Sequence, residues 1–143
     1  GVVRCIKRVM DHAGMIGDDI DYISGHLSST MADVLEIQNW CAALNRQQER
    51  FPYINSLKSL TGHSIGGSGS IETIAAVIQM NEGFIHASVN SEDLHPEIER
   101  LVSRNRIPMQ TIGDVSLQTV IKASFGFGDV NSCLVLKNFD RPE

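Results

Sequence analysis

The stretch Lys58-Ser-Leu-Thr-Gly-His-Ser-Ile-Gly-Gly-Ser-Gly-Ser-Ile-Glu72 constrains the chain most, because it joins a strand-like segment to a helix-like one. Tyr53 to Leu57 alternates loosely, as a short strand does, while Ile71, Ile74, Ala75 and Ile78 recur at helical spacing. A strand that feeds a helix through a glycine-rich loop belongs to an α/β architecture. Glycines at 62, 66, 67 and 69 let the backbone turn sharply or approach a ligand. The free N–H groups at the start of the next helix favour an anion or developing negative charge, and His63 stands in that field.

Three chemistries compete for this loop. A phosphate cradle needs its lysine directly after the glycines, but Lys58 precedes them. A nucleophile elbow is satisfied letter for letter by Gly62-His-Ser-Ile-Gly66, with Ser64 as nucleophile. Its partners would have to come from Asp93 and His95, nearly adjacent in one polar loop, whereas triad members normally arrive from separate strand ends. The third reading makes His63 the working group and Lys58 its electrostatic neighbour.

With 143 residues, 42% of them hydrophobic, and a net charge of −5, one globular domain is expected over 1–143. The acidic balance argues against nucleic acid as a partner. There is no long apolar run or signal peptide, which speaks against a membrane and makes the cytoplasm the expected location. Cys5, Cys41 and Cys133 are odd in number and widely spaced, so neither a disulfide framework nor a metal site is expected. The chain starts at Gly1 without methionine and enters a helical pattern at once, so a preceding segment is expected.

In chain order, a first helix ends near Ala13-Gly14, Gly17-Asp-Asp19 turns, and Ile20–Ser24 forms a strand. Gly25-His26 follows, with Ser28, Ser29 and Thr30, where open α/β sheets gather ligands at strand C-terminal ends. The next helix shows Val34, Ile37, Cys41 and Leu44 on one face, with Asp33 and Glu36 in its first turn and Trp40 packing. Pro52 leads into the strand before Lys58. After the helix behind Glu72, Phe84–Val89 reads as a strand or extended segment, and His86 and His95 read as structural or solvated residues. Ser91 to Met109 is a polar excursion. Thr119–Ser124 and Cys133–Leu136 form a closing antiparallel hairpin around Phe125-Gly-Phe-Gly-Asp-Val-Asn131. Phe125 either gates a channel with its ring while its amide faces a ligand, or packs with Phe127 as a core pair.

Three blocks at this order and spacing resemble the C-terminal part of a β-ketoacyl-acyl carrier protein synthase, a condensing enzyme of the thiolase-like fold. They are Tyr22-Ile-Ser-Gly-His26 with Ser28-Ser-Thr30, Lys58-Ser-Leu-Thr-Gly-His63 through Glu72, and Ser124-Phe-Gly-Phe-Gly128 with Asn131. The resemblance implies half of a duplicated α/β unit, with a mixed, mostly parallel five-stranded sheet, an antiparallel C-terminal hairpin and helices on both faces. It implies a decarboxylative condensation of malonyl-carrier thioester with a cysteine-bound acyl group, in fatty acid or polyketide synthesis. His26 and His63 would hydrogen-bond the thioester oxygen as it gains charge. Lys58 would be the family lysine, paired with Glu36, and Glu72 the acid of the loop-to-helix turn. Phe125 would gate and lend its amide to an oxyanion hole, and Ser28 and Thr30 would bind pantetheine. The implied partners are an acyl carrier protein, a missing N-terminal half and a homodimeric or heterodimeric mate, without a cofactor of the chain's own.

The nucleophilic cysteine belongs to that missing half, so the chain by itself is expected to be inactive. A non-catalytic homologue supporting a partner subunit is the alternative. Leu27 and Asp129 replace family glycines, Ser24 an asparagine, and Lys122-Ala123 a Ser-Asn pair, while one residue is missing before Asp33. Related enzymes hold a structural monovalent cation with that asparagine, that pair and the acid at 72. The Lys122 ammonium is expected to replace it and pair with Glu72.

Overall fold

A computed structural model of the protein describes residues 1–139. Helix α1 (Val2–Ala13) stops at Gly14, whose φ of 64° closes the last turn in the left-handed region as the sequence requires. Strand β1 (Tyr22–Ser24), helix α2 (Ala32–Leu44), strand β2 (Tyr53–Asn55) and the single-turn helix α3 (Lys58–Thr61) follow. Then come α4 (Ser68–Glu82), α5 (Pro96–Leu101) and the hairpin β3 (Thr119–Gly126) and β4 (Val130–Lys137). The sheet order is β2-β1-β3-β4; β1 runs parallel to both its neighbours, and β4 is antiparallel to β3.

Alternation along the strands assigns the two faces. Ile23, Ile54, Ile121 and Ala123 join Ile6, Ile37, Trp40 and Leu44 in the core under α1 and α2. Tyr22 and Val120 point the other way and pack with Ala76, Met80, Ile85 and Leu117 beneath α4. Period two then sends Ser24 and Lys122 to the α4 face, and Phe125 to the α2 face.

Among the described residues the sheet has four strands, not the five expected. Phe84–Val89 meets other backbone through a Phe84 N–H to Gln79 oxygen bond at the end of α4, an isolated bridge between Ile85 and Ile112, and a Ser88 N–H to Pro108 oxygen bond, none of them to β2. Side chains occupy the groups of its central residue: the His86 N–H donates to Gln79 Oε1, and the His86 oxygen accepts from Asn55 Nδ2. With those groups occupied, the segment has no ladder to offer β2. The excursion from Ser91 is also more ordered than expected, since α5 starts at Pro96 behind a His95 cap.

The apolar stripe of α4 faces away from the sheet, contrary to its plain reading as a core face. Ile71, Ile74, Val77 and Ile78 are exposed, while Ser68, Glu72, Ala76, Gln79 and Met80 are buried. Among the described residues no helix is long and apolar enough to cross a membrane.

Candidate active site

The loops after β1 and β2 leave the same end of the parallel sheet, so they bring two histidines together. The His26 and His63 ring centroids lie 5.4 Å apart, edge to face. Phe125, at the end of β3, places its ring 6.3 Å from His26 and 6.3 Å from Trp40. Phe125 thus lies between the histidines and the α2 core. Phe127 points fully into solvent, so the two phenylalanines are not a core pair.

His26 is fixed from behind by Glu36. The buried carboxylate accepts the His26 and Leu27 backbone N–H groups at 2.8 and 2.9 Å, and the Trp40 indole N–H at 3.2 Å. Gly25 permits this closure, because a Cβ there would lie 3.0 Å from Glu36 Oε1. Burial pushes the Glu36 carboxyl up to about 7, opposed by those donors. The next two amides, of Ser28 and Ser29, donate to Asp33 at 2.9 and 3.0 Å, so both acids at the start of α2 fold this loop. Burial, then the Lys58 charge, lowers His26 below the usual histidine range, which favours a neutral ring at neutral pH.

His63 is oriented by its own loop. The Ile65 N–H donates to its Nδ1 at 3.0 Å, and Ser68 Oγ lies 3.1 Å from the same atom. Ser68 Oγ already accepts the Ser64 N–H at 2.9 Å, leaving its proton to point at the ring. Nδ1 is therefore the acceptor and Nε2 carries the hydrogen, as a free donor. Ser68 was missed in sequence; its signal is a serine five residues after a histidine at a helix start.

Lys58 does not pair with Glu36 as expected. Its Nζ lies 2.5 Å from Glu72 Oε1, and Glu36 is committed to backbone amides on the other face of the sheet. Lys122 reaches the other carboxylate oxygen, Oε2, at 2.9 Å, as an ion pair outside hydrogen-bond angles. All three side chains are buried, at 6%, 2% and 3% exposure for Lys58, Glu72 and Lys122.

The Ser28 and Thr30 hydroxyls lie 3.3 Å apart. A cavity of about 440 Å³ is lined by Ser28, Ser56, Lys58, Ser59, His63, Ser88 and Leu94, among others, but not by Thr30. Ser64 has a φ of −84°, without the strain of a nucleophile elbow, and no hydrogen bond joins its hydroxyl to a histidine among the described residues. His95 accepts the Glu97 N–H at 3.2 Å at the start of α5, which is a capping role. His86 is buried against Asn55 and Ala87, and burial lowers its pKa.

The architecture is the C-terminal half of the thiolase-like ketosynthase fold. It superposes on the AntDE ketosynthase, solved in complex with the acyl carrier protein AntF, with a TM-score of 0.85 and 29% identity, over 98% of this chain and 33% of that one. The ishigamide ketosynthase/chain length factor gives 0.87 and 26% over 98% and 33%. Residues 1–92 match the family described as Beta-ketoacyl synthase, C-terminal domain, and the chain belongs to that family. The 3-oxoacyl-(acyl-carrier-protein) synthase 1 of Haemophilus influenzae is 36% identical over 141 residues, 98% of this chain and 32% of its own length. The chloroplastic synthase I of Arabidopsis thaliana is 32% identical over 139 residues, 97% of this chain and 28% of its own. The chain spans about a third of the length of these relatives.

Proposed function

We propose that these residues form the C-terminal part of a 3-oxoacyl-(acyl-carrier-protein) synthase, completed by an upstream half that brings the cysteine. The synthase performs a decarboxylative Claisen condensation. The malonyl carrier thioester loses CO₂, leaving an enolate. Its carbon attacks the acyl thioester on the cysteine, forming a C–C bond and releasing the thiolate. The product is the 3-oxoacyl carrier thioester.

The observation that carries this reading is the pair of imidazoles, held 5.4 Å apart by separate loops, with the His63 Nε2–H fixed as a donor. Donors aimed in advance at an oxygen that gains charge lower a barrier without reorganising. Ser28, which lines the same hydroxyl-rich cavity as His63, and Thr30, whose hydroxyl lies beside that of Ser28, suit the amides of a pantetheine arm. Phe125 acts as the gate beside His26, and an acyl carrier protein delivers the malonyl group. The alternative of a non-catalytic supporting subunit leaves the orientation of His63 without a use.

The test uses the full-length protein with malonyl-acyl carrier protein, measuring CO₂ release and the 3-oxoacyl product. His63→Ala should lower CO₂ release by about 10²–10³-fold, as loss of one oxyanion donor does. Ser68→Ala, which removes the hydroxyl that holds both the ring and the Ser64 N–H, should cost about tenfold in kcat, roughly 1.4 kcal/mol, with KM unchanged. Undiminished CO₂ release by His63→Ala would remove the proposal.

A further inference from the structure

The family resemblance implies a monovalent cation beside Glu72, and the residues here do not fit one. Strand alternation turns Lys122 toward α4, and its Nζ stands 2.9 Å from Glu72 Oε2. The same ammonium donates to the Ala123 carbonyl at 2.8 Å and to Ser124 Oγ. Glu72 and residue 123 belong to the set that the resemblance gives the cation, and the oxygen each offers here already faces the Lys122 nitrogen. The remaining carboxylate oxygen, Oε1, is held by Lys58. A further cation would also meet two ammonium groups in a site closed to water, where repulsion is weakly screened.

We propose that Lys122 is a tethered counter-charge which takes over the role of the alkali ion, making the site independent of sodium and potassium. It is a positioning residue. A single Glu72–Lys58 pair would leave Oε2 buried and uncompensated, and a buried unpaired oxygen is costly. With Lys122 in place the carboxylate is held from both sides, so Lys58 stays docked beneath the loop that carries His63. The ammonium has an advantage over an ion: it is covalently attached and cannot be lost by dilution. This reading concerns the charge cluster alone and stands whether or not the condensation proposal does.

The experiment takes the full-length protein at constant ionic strength, exchanging potassium chloride or sodium chloride for tetramethylammonium chloride, whose cation is too large for the cluster. Thermal unfolding of the parent should shift by less than a degree among the three salts. Lys122→Ser combined with Ala123→Asn opens the cluster and supplies oxygens. That variant should melt several degrees lower in tetramethylammonium chloride and recover saturably with potassium. Crystals soaked in thallium(I), a heavy potassium mimic, should show an anomalous peak between Glu72 and the residue-122 backbone in the variant and none in the parent. A saturable potassium or sodium response of the parent, or a thallium peak there with the Lys122 amine turned away, overturns the proposal. So does a folded double variant that gains no potassium response. Should the double variant not fold, the parent's melting and thallium arms still decide the matter. None of these readouts uses turnover, so failure of the condensation reading is seen separately.

Discussion

The carboxylate of Glu36 gathers N–H donors from the loop after β1 and from α2, and so ties the position of His26 to the helix core. Its carboxyl is raised from 4.5 to about 7, chiefly by burial. Between those values the unfolded chain has released the proton while the folded chain still holds it, so stability falls as pH rises through this window and is level above it. The size of that loss is on the order of 3 kcal/mol. Glu36→Gln in the full-length protein should abolish the slope, measured by denaturant unfolding at pH 4.5, 6 and 8. The amide offers one oxygen where the carboxylate offered two, so one of the His26 and Leu27 amides is left opposite an NH₂. That loss should cost about 1–3 kcal/mol at pH 8, where the parent's Glu36 is ionised. An unchanged slope would show that Glu36 is ionised throughout. Dipole complementation at a helix start explains an acid at 36 from sequence, but not the donors it meets, since these come from the loop ten and nine residues earlier. The histidines were legible because two strand-to-helix loops in a parallel sheet open at one end. The partner of Lys58 was not, because Glu36 and Glu72 lie on helices covering opposite faces, and only the sheet order separates them.

Helix α4 shows the limit of periodicity at the scale of one element. Ile71, Ile74, Ala75 and Ile78 announce a helix, which forms, but the stripe they share is turned from the sheet. The sheet side instead carries Ser68 for His63, Glu72 for two lysines and Gln79 for the His86 amide. Polar residues at buried positions erase the apolar contrast by which sequence tells inside from outside. Similarly, the fifth expected strand fails because its polar groups are satisfied by Asn55 and Gln79, which no alternation records. Four exposed aliphatic side chains on one helix form a face larger than stray surface residues do. On the proposed function, the upstream half covers it. Ile74→Glu should then destabilise the full-length protein by about 2–4 kcal/mol, since a buried aliphatic side chain is lost and a charge is placed in its stead. An unaltered denaturation midpoint would mean that this face stays in water.

For the whole molecule, the question is which thiol attacks. Cys41 lies buried in α2, where burial pushes its thiol up to about 11, and burial likewise raises Cys133 on β4. Both are held protonated at neutral pH, and the thiolate is the nucleophile, so a thiol near 11 is reactive in about one molecule per several thousand at pH 7.5. Cys5 lies on α1, facing β4 on the groove it shares with Cys133, and not in the cavity that ends at His63. The two imidazoles therefore stand beside no thiol among the described residues, which places the acyl-bearing cysteine elsewhere in the protein if the condensation proposal holds. Iodoacetamide at pH 7.5, followed by peptide mass mapping of the full-length protein, should modify one cysteine quickly, and loss of condensation should track that modification. The fast site should be none of Cys5, Cys41 and Cys133, and the 143-residue chain alone should neither label quickly nor condense. Fast labelling of Cys41 or Cys133 in step with lost activity would place the nucleophile inside this segment and undo the division of labour between the two halves.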